Sequence, residues 1–134
     1  MRVLVPFDAD SPKTRLSAVL GEEHRHEFAR VMLSDVVDVL QRAGQNPHVL
    51  STGDLSCQCP VHVDERSLTV AVNDWLSATE EPVCIVMSDL ALLREETIER
   101  LVETRGDVVI APGLGGGTNA LVVRTPEFSV DYHG

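Results

Sequence analysis

Lysine is nearly missing from this chain. Lys13 is the only one, and the other ten fixed positive charges among the 134 residues are arginines. Aromatic residues are scarce as well, at 4%, with one Trp and one Tyr. That argues against an aromatic-rich binding surface. Positive charge is short overall: 11 bases face 21 acids, for a formal net charge of −10. Such a surface repels polyanions, which excludes a general binder of nucleic acid or of anionic membranes. Three cysteines, two of them in "SCQCP", make no paired disulfide framework. The apolar runs are far too short to cross a bilayer, and nothing resembles a signal peptide. The expectation is a soluble, cytoplasmic protein.

What remains is 43% apolar, drawn mostly from Val, Leu and Ala. That composition suits buried strands under helices, in one domain over residues 1–134. The acid-rich, lysine-poor balance suits solubility in concentrated salt, where screening mutes self-repulsion. It equally suits an ordinary acidic protein encoded by GC-rich DNA.

Apolar periodicity orders the chain. "RVLVPF" (2–7) reads as a buried strand, followed by a loop. Residues 21–44 read as a helix, with Phe28, Val31, Met32, Val36, Val39 and Leu40 at helical spacing. Glu22 and Glu23 suit its first turn and Gly44 its end. "HVLST" is a second strand, 53–60 is irregular, and "VHVD" is a short strand. "SLTVAVNDWLSAT" is a helix capped by Ser67. "PVCIVMSD" is a buried strand ending at Asp89. "REETIERLVETRG" is a short helix stopped by Gly106. "DVVIAP" and "TNALVVRT" are strands around a glycine-rich loop. This alternation predicts an α/β three-layer sandwich with a mainly parallel, mixed sheet. Right-handed crossovers then bring the loops 8–17, 88–93 and 112–118 to one crevice at the strands' carboxyl ends.

Those loops hold the residues suited to chemistry. Lys13 and Arg15 stand two apart and make a local positive spot, or else belong to a solvated loop. An ammonium is a mobile point charge for phosphate, a guanidinium a planar fork. Asp89 either faces the crevice, where a carboxylate can hold Mg²⁺, or caps the following turn. Gly113, Gly115, Gly116 and Gly117 let backbone N–H groups approach a phosphate or a base, or simply form a turn. No Gly-Lys-Ser/Thr follows, so this is not a Walker loop. Cys57-x-Cys59 with His62 lacks zinc-finger spacing. His24 and His26 lie two apart on the first helix and read as surface residues.

Taken together, "VPF…SPKTRLS", "MSDLALL", "GDVVIAPGLGGGTNAL" and "FSVDYHG" resemble one family over essentially the whole chain. It is the archaeal 2-phospho-L-lactate guanylyltransferases of deazaflavin coenzyme biosynthesis, which have a nucleotide-diphospho-sugar transferase-like fold. The resemblance implies that GTP and 2-phospho-L-lactate, or a related three-carbon phosphate such as phosphoenolpyruvate in some relatives, react with Mg²⁺; with 2-phospho-L-lactate the products are lactyl-2-diphospho-5′-guanosine and pyrophosphate. It implies Lys13 and Arg15 on the triphosphate and Asp89 on the metal. Pro6, the four loop glycines, Thr118, Asn119 and Gly134 fall in the substrate-binding set, with Thr118 toward the three-carbon phosphate.

This chain departs from the family pattern in places. Asp8 stands where relatives often have a basic residue. Leu68-Thr69-Val70-Ala71 replaces Leu-Asn-x-Ala, and Asp89-Leu90-Ala91 replaces Asp-Leu-Pro. The family continues beyond "DYHG" with a further metal ligand. The resemblance therefore implies a missing C-terminal segment and an uncovered edge on the last strand, which would favour a homodimer. Two alternatives remain. One is a nucleotidyltransferase of the molybdenum-cofactor or sugar-phosphate type, and the other is an inactive nucleotide-binding module.

Overall fold

The computed structural model describes residues 2–9, 22–79, 81–88, 93–112, 118–125 and 129. The elements run β1 (Arg2–Phe7), α1 (Glu22–Arg42), β2 (Pro47–Ser51), β3 (Val61–Val63), α2 (Leu68–Ala78), β4 (Val83–Val86), α3 (Glu95–Glu103), β5 (Val108–Pro112) and β6 (Thr118–Val123). The order is the one the periodicity predicts. Local chemistry sets the boundaries. The Ser67 hydroxyl accepts from the Val70 N–H at 3.3 Å and opens α2. Gly44, at φ +82°, closes α1: its N–H reaches the Gln41 carbonyl, and the Gln45 N–H reaches that of Leu40. This pair of bonds is a Schellman motif, which a left-handed glycine permits.

The strands form one sheet in the order β3-β2-β1-β4-β6-β5. β3, β2, β1 and β4 pair in parallel, and β6 runs antiparallel between β4 and β5. β4 is buried along its whole length because helices cover both faces. On one face Val3, Val5, Val49, Cys84 and Val122 meet α1 and α3; on the other Leu4, Leu50, Ile85 and Leu121 meet α2. The result is the expected three-layer α/β architecture with a mixed sheet.

Three expectations need correction. α1 turns Ala29, Met32, Leu33, Val36, Val37, Val39 and Leu40 inward, while Phe28 and Val31 are 43% and 53% exposed. The sheet therefore meets a stripe that starts one residue later than Phe28. The last described strand, β6, is not an edge: it pairs on both sides, and among the described residues the sheet's edges are β3 and β5. Finally, the crossovers are not all right-handed. β1→β2 and β4→β5 step in opposite directions along the sheet, yet α1 and α3 share a face and touch. Those two crossovers must differ in hand. Polar contacts at both of its ends hold α3 in this place. Glu95 lies 3.7 Å from Arg42 at the end of α1, and Arg124, just past β6, donates to the Val102 and Gly106 carbonyls at 3.0 and 2.8 Å.

Candidate active site

β1 and β4 are parallel neighbours at which the strand order reverses: β1 connects toward β2 and β4 toward β5, in opposite directions along the sheet, although α1 and α3 pack on the same face. This is a topological switch point, the usual place for a ligand in an open α/β sheet. Their ladder pairs only Arg2–Leu4 with Val83–Ile85. Pro6 lies beyond it, where a missing N–H is tolerated, and registers with Leu50 on the other side. Ser51 ends β2 at the same edge. Because β6 runs the other way, its first residues Thr118 and Asn119 stand there too, with Thr118 registered against Pro112. Thus Pro6, Thr118 and Asn119 are brought to one edge by backbone pairing. β4 ends at Val86, three residues short of Asp89. Lys13, Arg15, Asp89, Gly113, Gly115, Gly116, Gly117 and Gly134 lie outside the described residues.

One contributor was not evident from sequence. Thr52, just past β2, accepts a hydrogen bond from the Ala9 N–H at 2.9 Å and donates to the Asp8 carboxylate at 3.3 Å. Its own N–H reaches the Phe7 carbonyl at 3.2 Å. Beside it the Ser51 hydroxyl donates to the Gly53 carbonyl and accepts from the Gly53 N–H. The chain leaving β1 is therefore fixed to the end of β2 before the segment carrying Lys13 begins. The only signal in the sequence is a Thr-Gly pair after an apolar strand, which is too common to single out.

Elsewhere two cavities appear. A cavity of about 490 Å³ is lined by Arg30, Asp54, Leu55, Ser56, Val61 and Val63. Its charged lining is one arginine and one aspartate, which does not favour a polyanion. The second, of about 320 Å³, is bordered by Arg2, Asp64, Arg66, Asp74 and Trp75. There Arg66 bonds both oxygens of Asp64 at 3.0 and 2.7 Å and reaches Asp74 at 2.6 Å. Those bonds hold the Asp64 carboxyl below the usual carboxylate range and raise Arg66. His48 and His62 meet next to Trp75, Nδ1 to Nε2 at 3.0 Å, so one ring donates and the other accepts. Burial, then His62, then Arg2 lower the His48 pKa. Arg2 and Arg66 thus already have local partners, the Trp75 ring and the two aspartates.

Among the described residues no group of three metal-ligating side chains occurs, and Cys57, Cys59 and His62 form none. No helix there is long and apolar enough to cross a membrane.

The family profile for guanylyl transferase CofC like proteins matches residues 1–134. The chain is 54% identical to a 2-phospho-L-lactate guanylyltransferase of Halomicrobium mukohataei, covering 99% of this chain and 66% of that protein. For the protein of that name in Haloarcula marismortui the figures are 52%, 100% and 66%. For that of Archaeoglobus fulgidus they are 47%, 99% and 64%. The chain therefore spans just under two thirds of these relatives' length. Among solved structures, a nucleotide-diphospho-sugar transferase candidate from Desulfovibrio desulfuricans aligns with a TM-score of 0.71 at 19% identity. The alignment covers 95% of this chain and 64% of that one, and supports the fold. A switch point between β1 and β4, an antiparallel strand beside it and a family match along the whole chain agree: the chain belongs to the guanylyl transferase CofC-like family.

Proposed function

We propose that the chain is a nucleotidyltransferase that joins GTP to 2-phospho-L-lactate, giving lactyl-2-diphospho-5′-guanosine and pyrophosphate. The observation that carries this reading is that the carboxyl ends of β1 and β4 and the first residues of β6 meet at the point where the strand order reverses. The names of relatives at about 50% identity support it.

The chemistry asks little of a base. The second ionisation of a phosphate monoester falls near pH ~6, so the acceptor phosphate is mostly dianionic at neutral pH. One of its oxygens attacks the α-phosphorus of GTP, the bond to the β-phosphate breaks, and pyrophosphate leaves. The barrier is repulsion between two polyanions that must line up, so positioning and charge neutralisation do most of the catalysis. Lys13 and Arg15 hold the triphosphate and stabilise the departing pyrophosphate. The glycine loop offers N–H groups, and Thr118 and Asn119 offer polar side chains to the acceptor or the nucleotide. Thr52 positions the segment that leads to Lys13.

Asp89 follows β4 by three residues in the sequence and carries the kind of group Mg²⁺ takes, a hard ion bound by one or two carboxylates with water and phosphate oxygens in the rest of its shell. Asp89 is the residue that would hold it, and the ion would neutralise phosphate charge. The enzyme is cytoplasmic in this reading. Two of its relatives, from Halomicrobium and Haloarcula, come from halophilic archaea, in keeping with the charge of −10. A homodimer would form at the β5 edge, where Ile110 is 54% exposed; light scattering decides.

The test is a screen of several nucleotides against several three-carbon phosphates, read by pyrophosphate release and product mass. Product from GTP and 2-phospho-L-lactate supports the proposal. Product with another three-carbon phosphate keeps the reaction and changes the acceptor, whereas product only with a sugar phosphate or a molybdenum-cofactor precursor, added to the same screen, supports that alternative. Nucleotide binding without pyrophosphate release supports the inactive module.

A further inference from the structure

Two of the three thiols stand together. Cys57 and Cys59 lie in the segment between β2 and β3, with their Sγ atoms 3.8 Å apart, and both are half-buried. The bend at Gln58–Cys59 turns them to the same side of the chain. Gln58, between them, is fastened to α1: its carboxamide donates to the Ser34 carbonyl at 3.1 Å, and its own carbonyl accepts from Gln41 at 3.4 Å. The Cys57 thiol donates to the Gln58 Oε1 at 3.3 Å. The third cysteine, Cys84, is on β4 with 0% exposure.

We propose that Cys57 and Cys59 form a reversible dithiol–disulfide site that reacts with small-molecule disulfides. A disulfide has its sulfurs about 2.04 Å apart. The present gap of 3.8 Å exceeds that by about 1.8 Å, the approach the two sulfurs must make for the bond to form. Burial and the neighbouring sulfur push the Cys59 thiol up to about 12; Cys57, whose contact with Gln58 is exposed, is the sulfur assigned the first attack.

With glutathione disulfide as oxidant, the Cys57 thiol loses its proton to water and its sulfur attacks one glutathione sulfur. The glutathione S–S bond breaks, and the first glutathione leaves as a thiolate that takes up a proton. The Cys59 sulfur then attacks the Cys57 sulfur, and its proton goes to the second departing glutathione. Two protein thiols and one glutathione disulfide become one protein disulfide and two glutathiones. The ring closes in the segment that also supplies Asp54, Leu55 and Ser56 to the 490 Å³ cavity. It does not depend on the proposed reaction.

The test incubates the folded chain with excess glutathione disulfide, then alkylates it under denaturing conditions and maps the peptides. The expected result is one alkylated thiol, Cys84, and a disulfide confined to 57–59 that dithiothreitol reverses. Cys59→Ser should instead accumulate a glutathione adduct on Cys57. Three alkylated thiols, a persistent adduct on the unsubstituted chain, or a disulfide that involves Cys84 or a second chain would each overturn the proposal.

Discussion

Replacing Thr52 by valine keeps the shape of the side chain and removes one hydroxyl. That hydroxyl makes two bonds, of unequal worth. The contact with the Ala9 N–H is 2.9 Å long and partly buried, while the one to Asp8 is 3.3 Å and exposed. Water readily replaces the second. Losing the first costs a neutral hydrogen bond and leaves an N–H with only partial access to solvent, about 1 kcal/mol in all. That is about a fivefold change in the folding equilibrium, or roughly 4 °C in Tm for a domain of this size. Urea unfolding of Thr52→Val against the parent chain measures it. Amide exchange adds the local part: the Ala9 N–H should exchange several-fold faster, and a sheet amide such as that of Val5, which opens with global unfolding, about fivefold faster in step with the lost stability. Stability within about 0.3 kcal/mol of the parent, with the Ala9 amide equally protected, would refute the claim that Thr52 fixes the exit from β1.

Other outcomes follow from the same packing. Leu33→Ala, at 1% exposure, should cost about 2–5 kcal/mol in urea unfolding, and Phe28→Ala less than about 1 kcal/mol; equal costs would return Phe28 to the core. Gly44→Ala meets no atom within 4 Å, so its cost comes from the left-handed backbone alone, about 1–2 kcal/mol, read as a lower Tm. His48 has a lowered folded pKa, so the unfolded chain binds its proton first as pH falls. Stability owed to His48 is therefore intact above about pH 6.5 and is lost as pH falls from there through the folded pKa. Proton NMR of the His48 ring should titrate below that value, and a midpoint above it would contradict the packing against His62 and Arg2.

The sequence pattern carries the element list well, because strands and helices differ in apolar period and their ends are marked by Ser67, Gly44 and Gly106. It carries spatial order poorly. Nothing in "TNALVV" says that this strand enters antiparallel between β4 and β5, since that choice depends on pairing with residues more than thirty positions away. The buried stripe of α1 differs from the predicted one for a related reason. Phe28 and Val31 are larger or more branched than Ala29, but the sheet presses on the face that holds Ala29, Leu33, Val36 and Leu40. Hydrophobicity does not record which of two overlapping stripes meets a partner. For the candidate site, the strand ends could be anticipated from the alternation of elements. Thr52 could not, because its role arises from a hydrogen bond across 43 positions of the chain.

The most direct test of the whole account compares the parent chain with Asp89→Asn, each given GTP, 2-phospho-L-lactate and Mg²⁺, with circular dichroism as a check on folding. The parent is expected to give pyrophosphate and the diphosphate-linked product, and a folded Asp89→Asn little of either. A parent chain that releases no pyrophosphate, or a variant that matches its rate, would contradict this expectation.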